Sequence, residues 1–264
     1  MVTQRGYAVV SGEIRDEFDF LATLAKVASL RDSGFLSGII VSTWDSQVDD
    51  SLIEQMKALE ISLVHHPDSF LSSSAPSEQA VYLRQAKLFL NGLRLVPDNG
   101  YVLRVRTDRA LDELGMALRA TTLNGSSLPP DKVSVHIGEV QARNFTMPFF
   151  FSDFTFFGTK RLLQRMVLLE SSHHLLDRHI VTNAMWFVGP YLHEMSIIRD
   201  WYYYVDVWAF QSAMAKAGWQ QTGEWPRIFI EVLAEYLVTL ERDFFVIPTN
   251  PAKTDSTLEH SLSS

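Results

Sequence analysis

The sequence contains no cysteine among its 264 residues. This absence excludes a disulfide scaffold, a zinc–thiolate centre and a cysteine nucleophile, and it is typical of a reducing compartment. No apolar run reaches the roughly 18 residues of a membrane-spanning helix. The stretch before Glu13 also lacks the uninterrupted apolar core of a secretory signal. We therefore expect a cytoplasmic chain.

Three familiar catalytic motifs are missing as well. The sequence has no GxxxxGK[ST] phosphate loop, no GxGxxG dinucleotide fingerprint and no GxSxG nucleophile elbow. The first two absences argue against the common nucleotide-binding loops, and the third argues against a serine hydrolase. Any nucleotide site in this chain must be built in another way.

The composition is that of a folded protein with a large core. Hydrophobic residues make up 47% of the chain and charged residues 20%, and the mean hydropathy is +0.02. Acidic residues (31) outnumber Lys and Arg (23), which gives a net charge of −8. Such a surface repels phosphate backbones, so we expect no general nucleic-acid binding, although a local basic pocket for a nucleotide is compatible with it.

Strand and helix patterns alternate along the first half of the chain. We predict strands at 7–11, 38–44, 61–65 and 101–107, with helices at 16–30, 51–59 and 77–95 between them. This alternation predicts parallel strands joined by crossovers, that is, a doubly wound, mostly parallel α/β sheet. Two further strands are expected at 133–137 and 149–157.

The second half has a different character. From Arg161 onward the pattern is helical and rich in aromatic residues, and five of the six tryptophans lie there. We expect one domain over 1–250, with an α/β part at 1–165 and a helical part at 166–250. The polar, serine-rich residues 251–264 are predicted to form a loose tail.

The first candidate site is Arg106-Thr107-Asp108, at the end of the strand YVLRVRT. In open α/β sheets, ligands bind outside the carboxyl ends of the strands, where the strand order reverses. A carboxylate there can hold a divalent cation that in turn holds a diphosphate. On spacing alone, a cap of the following helix or turn is the commoner role for Asp108. Arg104 and Arg106 share one strand face, where they can pair with phosphate or with acidic neighbours.

The second candidate site is the segment FFFSDFTFFGTK, in which Asp153 interrupts an apolar run. A carboxylate in such surroundings is unfavourable unless it is paired or used. Asp153 is therefore either a site residue or part of a strand-end turn bonded to backbone amides. The sequence leaves both interpretations open.

Five segments, taken together and in this order, resemble the WavE lipopolysaccharide-synthesis family. They span roughly residues 7 to 165 and read VVSGEIR, IIVSTWD, RQAKLFLNGLRLV, YVLRVRTDRAL and FFFSDFTFFGTK. The resemblance implies a nucleotide-diphospho-sugar transferase (GT-A) fold, with donor binding at the carboxyl edge of the sheet. It also implies a glycosyltransferase, expected to be a hexosyltransferase, that extends lipopolysaccharide or another surface polysaccharide.

Residue by residue, the resemblance places Arg106-Thr107-Asp108 where such enzymes carry an Asp-x-Asp metal motif. Asp108 would then ligate Mn²⁺ or Mg²⁺, although Arg106 occupies the first acidic position. The predicted donor-binding residues are Ser11, Gly12, Thr43, Trp44, Arg84, Lys87, Arg106 and Asp108. On the helix, Arg84, Lys87 and Asn91 share a face that points either to the donor phosphates or to water.

Two carboxylates are the catalytic candidates. Inverting transfer needs a base that deprotonates the acceptor hydroxyl, a role we assign to Glu194, with Asp153 as a second site residue. The expected partners are a nucleotide-sugar donor and an oligosaccharide or lipid-linked acceptor, with peripheral contact at the inner membrane. The alternative is a non-catalytic nucleotide-sugar or glycan-binding protein, because Arg106 replaces an acidic residue of the metal motif.

Overall fold

The computed structural model describes residues 6–67, 77–108, 128–136, 148–149, 151, 155–169, 186–187, 189–194 and 227–247. Within these residues, the strands are β1 (Gly6–Ser11), β2 (Leu36–Trp44), β3 (Ser62–His66), β4 (Tyr101–Arg106), β5 (Val133–His136), β6 (Thr155–Thr159) and β7 (Phe244–Ile247). The helices are α1 (Glu17–Asp32), α2 (Asp50–Ala58), α3 (Ser77–Leu93), α4 (Lys160–Met166), α5 (Gly189–Glu194) and α6 (Arg227–Asp243).

All seven strands belong to one sheet in the order β3-β2-β1-β4-β6-β5-β7. Only β6 runs antiparallel to its neighbours, and the other described strands are parallel to one another. Ser11 at the end of β1 pairs with Ser42 of β2 on one side and with Arg106 of β4 on the other. The strand order therefore reverses beside β1, and the carboxyl ends of β1 and β4 meet at that point.

Helices cover both faces of the sheet, because successive strand side chains point to opposite sides. Val10 packs with Phe20 and Leu24 of α1, whereas Val9 packs with Phe89 and Leu93 of α3. The structure thus confirms a doubly wound, mostly parallel α/β sheet. No described helix is both long and apolar enough to cross a membrane.

Local sequence explains where the first two helices begin. The Asp16 side chain accepts a hydrogen bond from the backbone N–H of Asp19 at 2.9 Å, and Asp49 accepts one from Leu52 at 2.8 Å. Each aspartate thereby satisfies a backbone donor that the first helical turn leaves open. The expected starts of α1 and α2 differ from the observed ones by a single residue.

A close helix–strand contact positions α3. A Cβ atom on Gly92 would lie 2.8 Å from Val9 Cγ1, so the helix approaches β1 more closely than any larger residue allows. One turn earlier, Ser42 Oγ of β2 donates a hydrogen bond to the carbonyl of Leu88 at 2.7 Å. These two contacts hold the middle of α3 beside the carboxyl ends of β1 and β2.

The predicted strand over 149–157 is confirmed at 155–157 and not at Phe149 or Phe151, and residues 150 and 152–154 lie outside the described residues. The observed strand begins at Thr155, and Phe149 lies in a turn with a φ of 61°. Its ring and that of Phe151 pack with Tyr191, Tyr236 and Phe244. The run is apolar because these rings fill a core between helices and sheet, and not because every residue pairs in the sheet.

The second half is not wholly helical. Helices α5 and α6 agree with the prediction, but Phe244–Ile247 forms β7 beside β5 at the edge of the sheet. The sheet thus takes a strand from the stretch 166–250. A run of four apolar residues fits a short buried strand as well as a helix end, so periodicity alone did not distinguish them. The predicted tail, 251–264, lies outside the described residues.

Candidate functional site

A cleft opens at the carboxyl ends of β1 and β4, with one wall formed by α3. Its empty volume is about 440 Å³, which includes solvent at the mouth. Six of the eight residues predicted to bind a donor line it: Ser11, Gly12, Trp44, Arg84, Arg106 and Asp108. The structure thus brings together residues that lie up to 97 positions apart in the sequence, at the switch point of the sheet.

The loop after β1 can form only with glycine at its first position. Gly12 has a φ of +148°, which side-chain-bearing residues rarely adopt, and its Cβ position lies 2.8 Å from Thr107 Oγ1. A methyl group there would collide with the residue that follows β4. Gly12 therefore lets the β1 loop pass directly over the end of β4.

Three side chains fix that loop in place. Thr107 Oγ1 donates to the carbonyl of Glu13 at 2.7 Å. The Gln47 amide accepts from Ile14 N–H at 3.0 Å and donates to the Ile14 carbonyl at 3.2 Å. Thr43 Oγ1 lies 2.9 Å from the Gly12 carbonyl and 2.6 Å from Gln47 Oε1, so its one proton serves either acceptor. The floor of the cleft is therefore held by hydrogen bonds from residues at the ends of β2 and β4, the two strands that flank β1.

This arrangement corrects the role predicted for Thr43. The side chain is fully buried and does not line the cleft. It supports the loop that does. A hydroxyl at the end of β2 was expected to face the ligand because the strand ends there, but Thr43 instead points toward Gly12 and Gln47 within the same loop network.

Arg106 and Asp108 form the most strongly paired charges of the cleft. Arg106 Nε lies 2.8 Å from Asp108 Oδ1 and its terminal nitrogen lies 2.5 Å from Oδ2, so the guanidinium engages both carboxylate oxygens. Arg15 approaches Oδ2 at 3.8 Å. Burial by itself would raise the pKa of Asp108, but the hydrogen bond and charge of Arg106 and the charge of Arg15 lower it overall. Asp108 is therefore ionised at neutral pH.

Helix α3 faces the cleft with a different stripe from the one predicted. Val81, Arg84, Gln85 and Leu88 line the cleft, whereas Lys87 does not. Lys87 lies outside the 81-84-85-88 spacing that lines the cleft, and its predicted donor-binding role stays a prediction. Gln85 is the polar neighbour of Arg84 in the cleft.

Behind Gln85 lies a buried arginine. Arg104 is fully buried, its guanidinium lies 4.7 Å from the ring centre of Trp186, and it donates to Gln85 Oε1 at 3.3 Å. Strand alternation predicted that Arg104 and Arg106 share a face, and both do lie on the α3 side of β4. Only Arg106 reaches the cleft, and Arg104 orients Gln85 from below.

Two buried polar atoms of the cleft have no partner among the described residues. Ser11 Oγ and Arg84 Nε are both shielded from solvent, and neither makes a hydrogen bond within that part of the chain. An unpaired buried donor is unfavourable by about 1–3 kcal/mol, so such atoms are rare in folded proteins without a ligand or an ordered water. Both atoms belong to residues that line the cleft.

Trp44 borders the cleft but is mostly packed within the protein. It is 3% exposed, and its ring meets His66 edge-on with the ring centres 5.9 Å apart. An aromatic ring at the end of a strand either stacks on a ligand base or packs in the core. The burial favours packing, with a narrow edge of the ring available to a ligand.

The described residues do not fit a divalent cation. Two described carboxylates line the cleft: Glu13 pairs with Arg15 at 3.3 Å, and Asp108 pairs with Arg106 through both oxygens. Within the described ranges, no group of three or more His, Cys, Asp or Glu side chains comes together. Mg²⁺ and Mn²⁺ prefer several oxygen ligands, and Asp108 could serve only after leaving Arg106.

The two predicted catalytic carboxylates lie beyond what the structure describes. Asp153 is outside the described residues, although β6 begins two positions later at Thr155, which pairs with Val105 near the end of β4. Glu194 is the last residue of α5, and its side chain is outside the described part. Their catalytic roles stay predictions.

Sequence reasoning missed Gln47, Gln85 and Thr107, although Thr107 stands within the quoted motif. Gln47 and Thr107 bond to loop residues 33 and 94 positions away, and Gln85 bonds to Arg104, which is 19 positions away. A polar residue directly after a strand is a usable signal for Thr107. No local pattern marks the other two, because their partners are set by packing.

Comparisons with known proteins give weak likeness. No family model matches the chain, and no curated protein matches it. Among solved structures, the chain is similar to glucosyl-3-phosphoglycerate synthase from Mycobacterium tuberculosis, in complex with Mn²⁺, UDP and phosphoglyceric acid. The TM-score is 0.37 at 13% identity, and the match covers 64% of this chain and 63% of the synthase chain. Mannosyl-3-phosphoglycerate synthase from Rubrobacter xylanophilus has a TM-score of 0.36 at 13% identity, over 61% and 55%.

This chain thus spans less than two thirds of the length of the two synthases. The likeness is too low to assign an activity, a metal or a substrate to this chain. The resemblance to the WavE family likewise stays a prediction. The topology and the cleft carry the functional argument.

Proposed function

We propose that this protein is a glycosyltransferase that binds a nucleotide-diphosphate sugar in the cleft at the carboxyl ends of β1 and β4. One observation carries the proposal: at the switch point of the sheet, buried donor atoms of Ser11 and Arg84 lack partners among the described residues. A ligand rich in hydrogen-bond acceptors would satisfy both atoms. The α/β sheet supports this position, because ligands of such sheets bind at the switch point.

The charge of the cleft supports an anionic ligand. Among the described residues, Arg15, Arg84 and Arg106 line it together with the carboxylates Glu13 and Asp108, which gives these side chains one net positive charge on a protein of net charge −8. A local positive field on an acidic protein favours a small anion such as a diphosphate over a long nucleic acid. The nucleoside would lie toward Trp44, at the end of β2.

The acceptor side rests on the sequence. The WavE resemblance supports transfer of a hexose to lipopolysaccharide or another surface polysaccharide, with Glu194 as the base and Asp153 as a second site residue. A carboxylate base is the usual means of deprotonating an acceptor hydroxyl. Lipid-linked acceptors and contact with the inner membrane belong to this same proposal.

Ligand-dependent stability tests the donor site. We expect UDP or GDP to raise the melting temperature, because a ligand that binds only the folded chain stabilises it by about 2.7 kcal/mol at a hundredfold excess over its Kd. Uridine and guanosine, which lack the diphosphate, are the matched controls and should shift the transition less. No shift with any nucleoside diphosphate at millimolar concentration, with or without Mn²⁺, would contradict the donor site.

The second candidate is a nucleotide-sugar or glycan-binding protein without chemistry. It is favoured by one observation: the two described carboxylates of the cleft are paired with arginines, so neither is available to hold the metal that the resemblance implies without rearrangement. A panel of nucleotide sugars, incubated with and without Mn²⁺, separates the two. Slow donor hydrolysis supports the transferase, whereas tight binding with no turnover on any donor or acceptor supports the binding protein.

A further inference from the structure

The acidic and basic side chains of the cleft are arranged differently from those of a metal site. Asp108 is the only described carboxylate of the cleft that is shielded from solvent, since its side chain is 18% exposed while that of Glu13 is 45% exposed. Both Asp108 oxygens are occupied by Arg106. A cation would therefore compete with a guanidinium that already holds the carboxylate in a two-point pair.

The cleft also contains two arginines besides Arg106 among the described residues, Arg84 and Arg15. Arg84 Nε is buried without a partner among the described residues, and Arg15 is 58% exposed at the mouth of the cleft. A planar guanidinium binds phosphate oxygens through paired N–H donors, and it stays charged at every physiological pH. Ser11 Oγ adds an uncharged donor at the end of β1.

Asp108 can position Arg106 as well as neutralise it. The two-point pair fixes the plane of the guanidinium, and the lowered pKa of Asp108 keeps the carboxylate charged. The guanidinium is thus held in one orientation at the wall of the cleft without any ligand present, which reduces the entropy lost on binding. In this arrangement Asp108 acts through Arg106 and is a positioning residue.

We propose that this cleft neutralises a diphosphate with arginines and without a divalent metal, and that Asp108 positions Arg106 and does not ligate a cation. The proposal rests on the proposed function, because it concerns the diphosphate of the nucleotide-sugar donor. Arg84 and Arg106 bind the diphosphate oxygens, and Ser11 Oγ donates to the same ligand.

Binding measured by calorimetry tests this without any need for activity. The probes are UDP and GDP, each in EDTA and in Mn²⁺, and inorganic pyrophosphate in EDTA. We expect the Kd for UDP or GDP to agree within about threefold between EDTA and Mn²⁺. Arg84→Gln and Arg106→Gln should each weaken binding at least tenfold in both buffers.

Control variants either remove an arginine charge outside the cleft or keep the hydrogen bonds between residue 108 and Arg106. Arg94→Gln, just beyond the end of α3 and exposed, should leave the Kd unchanged. Asp108→Ala should weaken UDP binding equally in EDTA and Mn²⁺, and Asp108→Asn should restore most of it, because the amide oxygen still accepts from Arg106. If Arg106→Gln fails to fold by circular dichroism, Arg84→Gln carries the test, since its Nε bonds to no described residue.

The outcomes separate the two proposals. Binding only in Mn²⁺, lost in Asp108→Asn, would overturn the arginine site and leave the transferase proposal intact. Binding of pyrophosphate but of no nucleotide would support the arginine site and overturn the proposed function. If neither nucleotides nor pyrophosphate bind, both are overturned.

Discussion

Two of the aspartate–arginine pairs among the described residues lie at contrasting places. In the cleft, Arg106 holds Asp108, and nearby buried donors lack partners among the described residues. At the junction of α6 and β7, Arg242 holds Asp243 at 2.7 Å, and Tyr191 OH also donates to Asp243 at 2.7 Å. Tyr191 links this second pair to α5, and the three side chains form a hydrogen-bonded network within the fold.

The electrostatics of the two pairs are alike, but their surroundings differ. In each, burial alone would raise the pKa of the aspartate, and the arginine hydrogen bond and charge lower it overall. Burial and the hydrogen bond to Asp243 raise the pKa of Tyr191 far above its ordinary value, so that the phenol remains a donor. A lowered aspartate pKa is therefore common to both places and does not by itself identify a functional site.

Replacing Gly12 should produce the largest change in stability. In Gly12→Ala, the unfavourable φ and the overlap with Thr107 Oγ1 each contribute roughly 1–3 kcal/mol of destabilisation. UDP binding should fall as well, because the loop beside Ser11 must move. Urea denaturation measures the first effect and calorimetry the second.

Gly34→Ala is the matched control for that experiment. Gly34 also has a positive φ, +80°, but no atom lies within 4 Å of its Cβ position. It should therefore lose stability through backbone strain alone and keep UDP binding. Equal losses in the two variants would show that the Thr107 contact plays no part in forming the cleft.

Removing one hydroxyl at each place should have opposite consequences. Tyr191→Phe deletes a buried hydrogen bond to a charged group and should destabilise the fold by about 1.5–3 kcal/mol while leaving UDP binding unchanged. Ser11→Ala deletes a hydroxyl without a described partner, so it should leave stability nearly unchanged and weaken UDP binding. Chemical denaturation and calorimetry on both variants check this. Weaker UDP binding in Tyr191→Phe would show that the two regions are coupled.

The smallest effect concerns acid stability. The folded protein lowers the pKa of Asp108 and of Asp243. Each ionised carboxylate therefore stabilises the fold at pH values above the unfolded pKa of about 3.9. This stabilisation is lost as the pH falls through the folded pKa. Asp108→Asn and Asp243→Asn should each flatten the decline of unfolding free energy below about pH 4. Denaturation at several acidic pH values measures the slopes. An unchanged slope in either variant would contradict the pairing that we describe for it.

Local sequence determined the alternating elements and the position of the cleft. The polar residues Ser11, Arg106 and Asp108 follow apolar strands, and parallel strands bring their carboxyl ends to one edge, so their proximity was predictable. The start of α1 was predictable for the same kind of reason, because the capping Asp16 is adjacent to the helix that it caps.

Only the tertiary structure decided how those residues are used. Packing turned the 81-84-85-88 stripe of α3 toward the cleft, sent Thr43 to the Gly12 loop, and added β7 to the sheet edge. It also paired both oxygens of Asp108 with Arg106, where the motif had predicted a metal ligand. Side-chain direction and partner choice depend on which atoms fill the surrounding space, and most of those atoms belong to elements distant in the chain.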